Sequence, residues 1–164
     1  MNGAKVLVVF YSRTGFTRAL AREIAEAMGG DMEDLADTRG REGVLGYLRS
    51  GFEAALRRHT VLKPLAHDLS SYDLVVVGTP VWNASLSSPV RTFLSDHGRD
   101  IKQVAFFCTF GGRGDARVFQ QMTESCGRVP QSVMSLRNRD STSTVLRMRA
   151  REFVGALQAS APAH

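Results

Sequence analysis

The chain of 164 residues has two cysteines, one tryptophan and no apolar run of membrane-spanning length. Cys108 and Cys126 are too few and too far apart for a zinc site or a redox pair. Cys108 lies in an apolar, strand-like run and reads as a small core residue, the sharper alternative being a reactive thiol beside a cofactor. The strongly apolar stretches, Val6 to Tyr11 and Leu74 to Val77, fall far short of the roughly 20 residues needed to cross a bilayer. Met1 to Lys5 has neither the apolar core nor the cleavage site of a signal peptide, so a cytoplasmic protein is expected. Low-complexity tracts are also lacking, and 43% hydrophobic with 23% charged residues is ordinary for a folded domain. One domain of this length removes roughly 70% of its unfolded surface from water and needs no covalent staples. Acidic excess is absent too: 21 Lys and Arg against 16 Asp and Glu give +5. The arginines are scattered among acids and no nucleic-acid motif accompanies them, which argues against a nucleic-acid partner. The positive excess fits solubility, or attraction of an anionic cofactor, substrate or partner.

What is present begins with Lys5 to Thr17, KVLVVFYSRTGFT. An apolar, β-branched run leads into a loop rich in hydroxyls, Ser12, Arg13, Thr14, Gly15, Phe16 and Thr17, and then into a helical pattern. The run has the length of a strand buried on both faces. A helix starting near Gly15 leaves its first N–H groups unpaired and aimed at the loop, with the positive end of the helix dipole behind them. Such a place favours a phosphate. The loop lacks the Gly-Lys-Ser/Thr of a nucleotide-triphosphate site and the spaced glycines of a dinucleotide site. It suits a bound monophosphate better than a transferred one, the plainer reading being a simple helix start.

Downstream, Leu20, Ile24, Ala27 and Met28 predict an amphipathic helix ending at Gly29-Gly30. Asp31 to Leu35 predicts a poor strand at the sheet edge. Val44, Leu45, Leu48, Phe52, Ala55 and Leu56 mark a helical segment at about 40–60. The basic cluster Arg39, Arg41, Arg49, Arg57, Arg58 and Lys63 there reads as a solvated face or a docking surface for an acidic partner. Tyr72 to Thr79 is a second core strand, followed by a loop from Pro80 to Ser88, with Ser88 capping a helix that has Pro89 in its first turn. Gln103 to Thr109 is a third core strand, running into Phe110, Gly111, Gly112, Arg113 and Gly114. A helix through Val118, Phe119 and Met122, a weaker strand over Val129 to Leu136 and a closing helix over Thr144 to Leu157 complete the chain. In the closing helix Val145, Met148, Phe153, Val154 and Leu157 are expected inward, and Gln158 to His164 is expected to fray. The alternation implies an α/β fold, a doubly wound parallel sheet with helices on both faces, in which ligands bind beyond the carboxyl ends of the strands. Three loops would converge there. Trp82 gains little as a core aromatic on a loop and could cover a flat conjugated ring. Gly111 and Gly112 would offer that ring an open backbone edge, a plain strand-to-helix turn being the alternative.

At this point the chain resembles the flavodoxin family, the very case in which a mononucleotide sits at the switch point between the first and third strands. Ser12 to Thr17 resembles the family's phosphate loop, Ser/Thr-x-Thr-Gly-x-Thr, and GTPVWNAS (Gly78 to Ser85) and CTFGGRGD (Cys108 to Asp115) resemble the two loops that enclose the flavin ring. The resemblance covers nearly the whole chain and implies a five-stranded parallel sheet of order 2-1-3-4-5 and FMN as cofactor. Ser12, Arg13, Thr14, Gly15, Phe16 and Thr17 would surround the phosphate. Thr79, Pro80, Val81, Trp82, Asn83 and Ala84, with Thr109, Phe110, Gly111 and Gly112, would contact the ribityl chain and isoalloxazine.

The implied activity is redox chemistry on non-covalently bound flavin, with electrons passing to a redox partner protein or a small acceptor such as a quinone. An NAD(P)H-dependent quinone reductase is the alternative, and a flavin-free docking module the alternative of another class. Family carriers are commonly acidic, whereas this chain is basic. Arg113 beside a flavin loop would stabilise an anionic reduced flavin, each 1.4 kcal/mol or so shifting a one-electron potential by about 59 mV. No side chain stands out as a general acid, general base or metal ligand, and His59, His67 and His97 are expected in surface or structural roles.

Overall fold

The computed structural model describes residues 3–35 and 60–160. Within them β1 (Val6–Phe10), α1 (Phe16–Met28), β2 (Asp31–Asp34), β3 (Leu74–Trp82), β4 (Ser85–Leu86), α2 (Ser88–His97), β5 (Val104–Phe110), α3 (Asp115–Cys126), β6 (Val133–Arg137) and α4 (Ser143–Ser160) follow one another. The sheet runs β2-β1-β3-β5-β6, with β4 folded back antiparallel on β3. The other pairs are parallel. With the two-residue β4 set aside, this is the expected flavodoxin-like order.

The continuous apolar runs are explained by burial on both faces. Leu7, Val9, Val75, Val77 and Phe106 meet α2 and α3 through Val90, Phe93, Val118 and Met122. Their neighbours Val6, Val8, Phe10, Val76 and Phe107 meet α1 and α4 through Leu20, Ile24, Leu146 and Phe153. Cys108 is fully buried on β5, and burial pushes its thiol up, so it is a protonated core residue as expected.

The acids that make β2 a poor strand are what protect its edge. Glu33 is buried and accepts from the Ala66 and His67 N–H groups, with His67 Nδ1 at 2.6 Å. Asp31 accepts from the Tyr72 hydroxyl at 2.7 Å. Burial first, then this bond, pushes the Tyr72 phenol up to about 12.

Several expected boundaries move. The inward residue of α1 is Ala25, and Ala27 is exposed. In α4, Met148 is 49% exposed, and Leu146 and Ala150 take the inward places. Val129 is 84% exposed and precedes the last strand, which starts at Val133. The closing helix extends to Ser160, past the expected end at Leu157, and residues 161–164 of the expected frayed tail lie outside the described residues. Ser87, not Ser88, is the N-cap of α2, and its side chain makes no capping bond because it pairs with Thr79. The helical segment at 40–60 lies outside the described residues, as do His59 and the basic cluster apart from Lys63, which is exposed.

Pro80, Val81 and Trp82, expected in a loop, continue β3, and the turn is Asn83-Ala84 alone. Pro80 is tolerated because strand residues alternate their N–H directions. Leu74 N–H donates toward β1 and Val75 N–H toward the β5 side, so residue 80 faces β1. The ladder to β1 has by then ended at Gly78, and the missing donor breaks no pair.

Candidate functional site

The carboxyl ends of β1, β3 and β5 lie side by side, so the three loops leave the sheet at one edge. In the first, Ser12 Oγ accepts from the Gly15 N–H at 3.2 Å, leaving the serine proton available. Gly15 is the left-handed N-cap of α1 (φ 96°), with no side chain capping the helix and no acid in its first turn. The first intrahelical bond joins Ala19 N–H to the Gly15 carbonyl at 2.9 Å, so the N–H groups of Phe16, Thr17 and Arg18 have no partner along the helix. Donors without a competing carboxylate at the positive end of a helix fit a phosphate. Thr14 is exposed, Ser12 and Arg13 are half-buried, and Phe16 is exposed although it opens a helix.

The Thr17 hydroxyl is buried and 2.8 Å from that of Thr109, which ties the first loop to the third. Thr79 is fully buried; its hydroxyl donates to the Pro80 carbonyl at 2.9 Å and therefore accepts from Ser87 Oγ, also at 2.9 Å. Its side chain serves the second loop from within.

That second loop is a tight hairpin, with Val81 opposite Leu86 and Trp82 opposite Ser85. Asn83 (φ 49°) and Ala84 (φ 52°) are both left-handed, the conformation a two-residue hairpin turn requires. Trp82 is half-buried and stands edge-on to Tyr11, with centroids 6.0 Å apart and planes at 86°. Gly114 (φ 111°) backs the turn; a Cβ there would lie 2.5 Å from that of Ala84. In the third loop, Thr109 and Phe110 are buried, and Gly111, Gly112 and Arg113 are exposed. The Arg137 guanidinium lies over the Phe110 ring at 5.6 Å.

Tyr11, Ser87, Gly114 and Gln121 complete the surroundings and were not singled out from the sequence. Gln121 left a faint signal, a glutamine beside Val118 and Met122 on the buried stripe of α3. His67 and His97 are turned to Glu33 and Asp100, consistent with structural roles. Among the described residues no histidine, cysteine and carboxylate cluster could hold a metal ion. From Ser12 to Thr17, Pro80 to Ser88 and Thr109 to Gly114 the three loops carry no histidine or carboxylate, and Asp115 is already the first residue of α3. Among the described residues no helix is long and apolar enough to cross a membrane.

Residues 4–138 match the model of the family described as NADPH-dependent FMN reductase. Solved structures share the fold. A flavoprotein from Lactobacillus acidophilus NCFM, in complex with FMN, is 22% identical with a TM-score of 0.71, over 81% of this chain and 93% of that one. A protein from Bacteroides eggerthii is 22% identical with a TM-score of 0.74, over 93% of this chain and 99% of that one. Oxidised Flavodoxin 2 from Bacillus cereus is 17% identical with a TM-score of 0.56, over 96% of this chain and the whole of that one. With a flavodoxin-like sheet and a family match across most of its length, the chain belongs to the NADPH-dependent FMN reductase family and is a flavodoxin-like flavoprotein with FMN as its cofactor.

Proposed function

We propose that this protein is an FMN-dependent oxidoreductase that draws electrons from a reduced nicotinamide and delivers them to a small acceptor such as a quinone. FMN, when bound, supplies the redox chemistry. The chain's part is to hold it: the phosphate at Ser12, Arg13, Thr14, Gly15, Phe16 and Thr17, the ring between Trp82 on its hairpin and the Thr109 to Gly112 edge. Pro80, Val81, Asn83 and Ala84 carry that hairpin, and Thr79 fastens it from inside.

The observation that carries the reading is the convergence at one sheet edge of an uncapped helix start, an aromatic fixed by Tyr11 and a bare glycine backbone, with Thr17 and Thr109 joining the first to the last. A loop set without histidine or carboxylate suits chemistry that the cofactor performs. Arg113, exposed beside the glycine edge, favours an anionic reduced state and so a two-electron acceptor role over a low-potential carrier. A cytoplasmic location, where reduced nicotinamide is supplied, fits this reading.

Stopped-flow mixing of the FMN-loaded protein with NADPH tests it. Rapid loss of the oxidised flavin band without a partner enzyme, reversed by a quinone, is expected. A protein that bleaches only in the presence of a reductase partner, and then in two separated one-electron steps, would instead be a carrier.

A further inference from the structure

We infer that Gln121 is a positioning residue that sets the width of the flavin slot by fixing the Trp82 hairpin to α3, from which the third loop also hangs. This rests on the cofactor placement proposed above. Gln121 is 2% exposed, and its Oε1 accepts from the Leu86 N–H at 2.9 Å and faces Arg91 Nη2 at 3.3 Å. Both partners are donors only, so the amide has one orientation that satisfies them and the flipped one opposes N–H to N–H. That orientation leaves Nε2 buried with no hydrogen-bond partner. A buried donor left unpaired is destabilising, so packing alone would favour an apolar residue here, as at Val118 and Met122. What the glutamine adds is the acceptor beneath β4.

The place of that acceptor matters. Leu86 pairs with Val81, and Ser85 with Trp82, so the Leu86 N–H is one rung from the tryptophan. Gly114 is the N-cap of α3 and lies against Ala84 at the tip of the same hairpin. Gly114 and Gln121 are seven residues apart, about two turns, and so lie on one side of the helix. The hairpin thus rests along α3 at two points, and Gly111 to Arg113 enter that helix at Gly114. Through α3, the wall that carries Trp82 and the foot of the glycine edge at Gly114 keep a fixed separation.

The test uses Gln121→Leu, which deletes the acceptor, and Gln121→Glu, which keeps one toward both donors. Trp82 is the sole tryptophan, so its emission reports this hairpin alone. In the flavin-free protein, Gln121→Leu should shift Trp82 emission to the red and increase acrylamide quenching, with Gln121→Glu close to the parent. Titrated with flavin, Gln121→Leu should bind FMN and riboflavin about tenfold more weakly, by the same factor, because the ring slot changes and the phosphate loop does not. Ser12→Ala is the converse control, weakening FMN and sparing riboflavin. Parental emission and affinities in Gln121→Leu, a loss confined to FMN, or no rescue by Gln121→Glu would overturn the inference. If Gln121→Leu does not fold, Gln121→Asn, which withdraws the amide by one methylene, carries the same expectations; failure of both to fold also overturns it. If the parent binds neither flavin, the cofactor placement fails, while the emission readout still decides whether Gln121 holds the hairpin.

Discussion

The second and third loops leave neighbouring strands at the same edge yet are built in opposite ways. The hairpin from Trp82 to Ser87 is held at every rung: Tyr11 on the tryptophan, Gly114 under the turn, Gln121 on Leu86 and Thr79 on Ser87. The stretch Gly111 to Arg113 is exposed, and a Cβ at Gly111 or Gly112 would meet nothing within 4 Å. A planar ligand between them would find one preorganised wall and one adaptable edge. Preorganisation lowers the entropy lost on binding. An adaptable backbone edge can follow a ring whose hydrogen-bonding pattern changes with its redox state.

The contrast is broken most directly at Gly114. Its backbone is left-handed, and an added Cβ would stand 2.5 Å from the Ala84 Cβ and 2.6 Å from the Ala84 Cα, which cannot rotate away. Gly114→Ala should therefore destabilise the fold by about 2–4 kcal/mol, combining strain with overpacking. Urea unfolding measures this, and FMN titration should show a loss of more than roughly tenfold as the hairpin is pushed off α3. A cost below about 1 kcal/mol would mean that the wall is not clamped from behind.

Ala84 should respond in the other direction. An alanine at φ 52° carries the strain of the left-handed region, and its partner Asn83 is already suited to the turn. Ala84→Gly gives the Asn-Gly pair such hairpins favour. Relief of about 1 kcal/mol should outweigh the added freedom of the unfolded chain, raising Tm by about 2–4 °C. An unchanged or lowered Tm would show that the methyl, packed against Gly114, contributes more than its backbone strain removes.

These two residues also show where the sequence stops being readable. Val6 to Phe10, Leu74 to Val77 and Val104 to Cys108 announce buried strands because burial on both faces demands unbroken apolar runs. Ser12 to Thr17 is legible as the turn before a helix, with Gly15 taking the left-handed position at its start. The hairpin is hidden. Pro80 looks like a loop residue until one knows that the ladder to β1 has ended at Gly78, and Gln121 looks like a polar misfit in a helix stripe until Leu86 is placed above it. Both depend on residues distant in sequence, so local propensity carries no trace of them. The expected Ser88 cap missed by one residue for a related reason. Ser87 and Ser88 are equivalent locally, and only the bond to Thr79 decides which of them is drawn beneath the strand.

The smallest effect on the fold is expected at Gly111 and Gly112, and it is the most telling about the ligand. Neither residue has a left-handed backbone, and neither has a neighbour that a methyl would strike. Nothing in the described protein requires glycine at either position. Gly111→Ala and Gly112→Ala should each change stability by no more than about 0.5 kcal/mol. If the edge meets the isoalloxazine at backbone distance, a methyl on the ligand side weakens FMN and riboflavin alike. One on the far side leaves both unchanged, so at least one of the two variants should lose affinity while melting like the parent. Thermal melts beside parallel flavin titrations decide it. Two variants that melt and bind as the parent does would leave the ring facing the hairpin only, and would move the second wall of the slot away from this loop.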